Sequence, residues 1–87
     1  LLWAGNEVGL ADEGELLRID RLVHRKATDQ EPATWWVLDY KLNQAPHQLD
    51  SYRAQLARYQ RAVQRRQSGE RVRGAFITGS GAVIEPA

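Results

Sequence analysis

The sequence predicts a mixed α/β (α+β) domain: three strands, one long helix, then two strands, with the helix lying across a mixed sheet. Three observations lead there. Residues 34–41 (Thr-Trp-Trp-Val-Leu-Asp-Tyr-Lys) form an apolar, aromatic run with no Gly or Pro, as a buried strand requires. From Gln48 to Gln67 the apolar period changes: Leu49, Tyr52, Leu56, Tyr59 and Val63 recur at three- and four-residue steps, the signature of an amphipathic helix. A strand, a helix and a further strand in succession suggest a right-handed crossover inside a mixed sheet.

In chain order, residues 2–8 read as a first strand and Ala11-Asp12-Glu13-Gly14 as a hairpin turn. Residues 15–25 read as the second strand. Strict alternation puts Leu17, Ile19, Arg21 and Val23 on one face and Leu16, Arg18, Asp20, Leu22 and His24 on the other. Neither face is cleanly polar, so cover on both sides is expected. The polar run 26–33, with Pro32, is a loop; 34–41 is the third strand. Trp35 and Trp36 point to opposite faces, which again calls for apolar cover on each. Residues 42–47 form a loop whose Pro46 precedes the helix, and Ser68-Gly69 ends that helix. Residues 72–78 are a fourth strand, Gly79-Ser80-Gly81 a turn, and 82–85 a short edge strand.

With 87 residues and 43% hydrophobic content, the chain suits one small domain, 1–87, with a modest core. It contains no Met and starts at Leu1, so it is expected to be a piece of a longer protein. The absence of Cys excludes disulfides and thiolate or iron–sulfur ligation. No apolar run reaches the length that spans a bilayer, and no signal-peptide pattern is present. The absence of Cys fits a cytoplasmic origin. Net charge is +1, but Arg53, Arg58, Arg61, Arg65, Arg66, Arg71 and Arg73 all lie in the second half. Arg58, Arg61 and Arg65 make a helical stripe, which is either a solvated face or a polyanion surface.

Chemistry centres on Asp20, Asp39 and Lys41. Asp39 and Lys41 are two apart on one strand and therefore share a face. Two carboxylates brought together on adjacent strands repel, and a hard divalent cation relieves that repulsion. The alternative is simple ion pairing, Asp20 with Arg18 or Arg21 and Asp39 with Lys41. Gln55 and Tyr59 are four apart on one helix face, and Gln55 interrupts the apolar stripe. His24 and His47 have no acid or hydroxyl partner at a telling spacing. Ser68 and Ser80 sit in Gly-flanked turns that match no nucleophile or phosphate-loop motif.

Together, Ile19-Asp20-Arg21-Leu22-Val23, Trp36-Val37-Leu38-Asp39-Tyr40-Lys41 and Gln55-Leu56-Ala57-Arg58-Tyr59 resemble the PD-(D/E)XK nuclease superfamily. Within it they resemble the RecB-like nuclease domain of exonuclease V and AddA-type helicase–nucleases, over about residues 14–85. The resemblance implies a restriction-endonuclease-like fold and magnesium-dependent DNA hydrolysis, with manganese as an alternative ion. Asp20, Asp39 and the Tyr40 carbonyl would hold the metal, and Lys41 would be the catalytic lysine. Gln55 and Tyr59 would support the site and contact DNA, with Arg58, Arg61 and Arg65 along the DNA backbone. Implied partners are DNA, the helicase region of the same parent chain and other subunits of such a complex, acting in DNA-end processing and recombination repair. The family fold begins with a helix that often carries a further Glu or His ligand. That helix is missing here, Glu7 is not assigned as its ligand, and the isolated piece is expected to have little activity. A catalytically inactive DNA-binding or scaffolding module on the same fold is the alternative.

Overall fold

The structure is a computed structural model that describes residues 3–86. Strands β1 (Trp3–Asp12), β2 (Glu15–Arg25) and β3 (Thr34–Lys41) are followed by helix α1 (Asp50–Arg66), then β4 (Arg71–Thr78) and β5 (Val83–Ile84). The five strands form one mixed sheet in the order β1-β2-β3-β4-β5. β1 with β2, β2 with β3, and β4 with β5 are antiparallel; β3 and β4 are parallel, joined through α1. The expected three strands, helix and two strands are therefore present, as an α+β mixed sheet bearing one helix.

Element boundaries moved where local chemistry decides them. The first strand runs on to Asp12 instead of ending at residue 8, and the turn shrinks to Glu13-Gly14 between the paired residues Asp12 and Glu15. Both turn residues have positive φ, +50° and +79°, which matches the right-handed twist of a two-residue hairpin. Leu2 lies outside the described residues. The helix starts at Asp50, not Gln48, because Pro46–Gln48 form a separate 3-10 turn. Asp50 then sits in the first turn, and Arg65 and Arg66 in the last, as the helix dipole favours.

The core comprises Ile19, Leu22, Val37, Leu56, Val63 and Phe76, with Tyr52, Tyr59, Trp35 and Val72 packed against it. Ile19 and Leu22 lie three apart on one strand, yet both are buried, at 0% and 6% exposure. Strict alternation is therefore broken within β2, and the two-face partition expected from the sequence is wrong beyond Ile19. The break lies where Glu7 faces Asp20. Pairing of β1 with β2 skips this position, between Asn6–Arg21 and Val8–Ile19, and Glu7 has φ +49°. A left-handed residue inside a strand re-aims the side chains around it. Leu17 and Ile19 reach the core from one side of the break, Leu22 from the other, and Asp20 stands at the break itself.

Among the described residues the sheet is not covered on both sides, contrary to expectation. Trp35 faces inward, stacked on His24 at 4.2 Å and tilted against Trp3. Trp36 faces the other way, beneath the guanidinium of Arg73, which also pairs with Glu85. An open cleft of about 280 Å³ lies on that outer face, lined by Val23, Arg25, Trp36, Leu38, Ile77 and Val83. Among the described residues, no helix is long and apolar enough to cross a membrane.

Candidate metal centre

The last paired residues of β2 and β3 are Arg21 and Leu38. Continuing that register by one residue sets Asp20 opposite Asp39, at the point where β2 kinks. The ladder gives way there to a side-chain contact: the Tyr40 N–H donates to Asp20 Oδ2 at 2.9 Å. A strand residue directs its N–H and C=O to the same side. The Tyr40 carbonyl is thus turned toward the β2 edge where the two carboxylates meet.

Asp39 is 4% exposed, and its Oδ2 is buried without a hydrogen-bond partner among the described residues. Its Oδ1 lies 3.5 Å from Lys41 Nζ. Burial is the main reason its carboxyl is raised from 3.8 to about 6; the adjacent Asp20 carboxyl adds to the rise and Lys41 opposes it. Tyr59 is likewise held above the usual phenol range, first by burial and then by the negative field of Asp39 and Asp20. Lys41 also donates to Gln55 Oε1 at 3.1 Å, and its ammonium sits 4.5 Å from the centre of the Tyr52 ring. The helix thus delivers Tyr52, Gln55 and Tyr59 to the same corner, each about one turn after the last.

Of the simple ion pairs that competed with a metal site, one is absent and one is present. Arg18 turns to Glu7 at 3.9 Å, and Arg21 donates to Asn6 at 2.8 Å, so neither neutralises Asp20. Lys41 does approach Asp39, but it satisfies only one of the two carboxylate oxygens. A divalent cation suits what remains: two facing carboxylates, one orphaned buried oxygen and a backbone carbonyl. Among the described residues, no third acid, His or Cys joins them. Magnesium can bind through one or two carboxylates and keep water and substrate oxygens in its other positions. Asp20, Asp39 and the Tyr40 carbonyl are the residues that would hold it. Glu7, exposed and directed at Arg18, is not among them.

Two of the three arginines of the basic stripe pair with acids of the β1–β2 hairpin. Arg58 pairs with Glu15 at 3.2 Å, and Arg65 grips both oxygens of Asp12 at 2.9 and 2.6 Å and reaches Glu13 at 3.1 Å. These side chains link the helix to the β1–β2 turn at the surface, and Arg61 and Arg65 remain exposed. Arg65, whose hydrogen bonds are the main cause, holds the Asp12 carboxyl below 3.8. A depressed carboxyl stabilises the fold above its unfolded value and loses that contribution as pH falls through its folded one. Asp12→Asn therefore lowers the melting temperature at pH 7, and its deficit narrows below pH 3.8, which thermal melts at pH 3 and 7 will check.

His24 lies close to an acid that its spacing concealed, though its Nε2 makes no hydrogen bond among the described residues. Its Nε2 lies 3.0 Å from Glu70 Oε2, which also accepts the Trp35 indole N–H at 2.6 Å. This cluster ties the start of β4 to β2 and β3, away from the carboxylates. His47 sits in the 3-10 turn, where its backbone carbonyl accepts from Arg53 at 2.7 Å. Ser80 was read only as a turn residue, and Thr78 and Gln44 were not singled out. The Thr78 hydroxyl contacts Ser80 Oγ at 3.0 Å, and Ser80 donates to Gln44 at 3.2 Å, beside Lys41. The signal was a Thr closing a strand parallel to the one that ends in Lys41.

No protein-family model, no curated protein and no solved structure matches this chain.

Proposed function

We propose that the chain is the nuclease core of a metal-dependent deoxyribonuclease with a restriction-endonuclease-like fold, of the RecB-like type found in helicase–nucleases. The observation that carries this reading is Asp39: a buried carboxylate with an unpartnered oxygen, facing Asp20, with Lys41 projecting from the same side of the strand. An orphaned buried carboxylate costs stability, and a cation at this oxygen would relieve that cost.

Magnesium, when bound, would neutralise charge on a scissile phosphate and lower the pKa of a water. Asp20 and Asp39 would hold that ion, with Asp20 kept in place by the Tyr40 N–H. Lys41, steadied by Gln55, offers its ammonium to a phosphate oxygen beside the ion. Tyr52 and Tyr59 back this corner with apolar surface that limits water. DNA is the substrate in this account, and the helicase region of a longer parent chain supplies the strand in cytoplasmic end processing and recombination repair. The alternative, a catalytically inactive DNA-binding or scaffolding module on the same fold, would bind DNA in a salt-sensitive way that persists in chelator.

The test is magnesium-dependent degradation of linear DNA by a protein containing this chain. Asp39→Ala and Lys41→Ala should each remove it; wild-type cleavage by either variant overturns the proposal. A pH dependence accompanies it. Protonated Asp39 cannot ligate, so manganese affinity should fall about tenfold for each pH unit below 6, as titration calorimetry will read.

A further inference from the structure

Lys41 has an anion within reach that it does not close upon. Its Nζ stands 3.5 Å from Asp39 Oδ1, whereas an ammonium and a carboxylate in a closed pair approach to about 2.7–2.9 Å. Asp39 is buried and Lys41 half-buried, so little water screens their attraction. The remaining contacts of the ammonium come from the helix. It sits 4.5 Å from the centre of the Tyr52 ring and donates to Gln55 Oε1 at 3.1 Å. Those two helix residues are three apart and share a face.

The two helix contacts are unequal. Gln55 is exposed, and its amide can turn to water. Tyr52 is half-buried in the first turn of α1 and packed against the core, which fixes its ring. An aromatic face attracts a cation most strongly where water is excluded. Where the ammonium rests decides whether the carboxylates are free for a divalent ion. A closed pair with Asp39 would occupy an oxygen the ion needs and set a like charge beside it. We infer that Tyr52 is a positioning residue: its ring face holds the Lys41 ammonium back from Asp39 and so keeps the cation site open. The same contact leaves the ammonium beside the site instead of in it, where a phosphate bound to the ion would meet it. The inference rests on the proposed metal site, whose failure the experiment below separates from its own.

The test is calorimetric titration of manganese into the chain at pH 8, where Asp39 is ionised, with a double-substitution cycle between positions 52 and 41. Tyr52→Leu should bind about three- to thirtyfold more weakly than wild type, the fold-change that matches the loss of a cation–π contact. Tyr52→Phe keeps the ring face and should bind as wild type does. Tyr52→Leu combined with Lys41→Met should bind as tightly as Lys41→Met alone, because no ammonium remains to compete. A ring that merely props the fold would weaken binding in the double variant as well, and that result overturns the inference. Should Tyr52→Leu not fold, pentafluorophenylalanine at position 52 keeps the size of the ring, removes its negative face and carries the same prediction. If Tyr52→Leu binds like wild type while Asp39→Asn does not bind, Tyr52 has no such role and the metal site stands. If wild type binds no manganese at millimolar concentration, both are wrong.

Discussion

Asp39→Asn should stabilise the metal-free protein at pH 7 and erase its response to manganese. The wild-type carboxyl is raised from 3.8 to about 6, chiefly by burial. Between those values the folded state holds a proton that the unfolded state has released. Stability is therefore highest below about pH 4, declines as pH rises and is fully reduced above about 6. At neutral pH the ionised carboxylate costs on the order of 1–3 kcal/mol, the approach of Lys41 having already offset part of the burden. Asparagine keeps the shape and removes both the charge and the repulsion from Asp20. In an 87-residue domain a gain of that order raises the melting temperature by several degrees. Manganese should raise the wild-type melting temperature and leave that of Asp39→Asn unchanged. A variant less stable than wild type across pH 4–8 would mean that Asp39 is a structural ion-pair partner of Lys41, not a ligand awaiting a cation.

Lys41→Met should behave differently from any carboxylate substitution. Methionine keeps the length of the aliphatic chain and removes the ammonium that lies over Tyr52 and contacts Asp39 and Gln55. Without that positive charge, an approaching cation meets less repulsion, so manganese binding should be unchanged or tighter at pH 8. Cleavage by the parent protein should fall by about 10²–10⁴, the range for losing one positioned acid–base or charge-stabilising group. Gln55→Ala should lower cleavage less, because it frees the lysine without deleting it. The informative readout is the separation of metal affinity from rate. If Lys41→Met lost both in parallel, the lysine would be holding the fold of the corner and not acting on the phosphate.

Much of this corner was legible in the sequence because the relevant signals are local. An apolar strand ending Asp39-Tyr40-Lys41 fixes the shared face of acid and amine by strand geometry alone, and the helical step from Gln55 to Tyr59 does the same on the other element. Three features were not legible, each for a physical reason. The kink at Glu7 and Asp20 depends on one residue taking a left-handed conformation, and no Gly or Pro marks it. Alternation counted through it assigned the wrong faces beyond Ile19. The engagement of Arg65 with Asp12 joins residues far apart in sequence, and a helical stripe of cations looks the same whether its partner is solvent, DNA or a hairpin turn. The open outer face carrying Trp36 and Leu38 could not be anticipated from strand composition, because an apolar strand reads identically whether or not anything covers it.

The central claim is that Asp20 and Asp39 form a cation site completed by water and substrate. Calorimetric titration of manganese at pH 6, run in two buffers of different ionisation heat, tests it most directly. The account predicts one site, with a proton released from Asp39 in a fraction of binding events, and no release at pH 8. Absence of binding at millimolar manganese, or equal binding by Asp39→Asn, would contradict it.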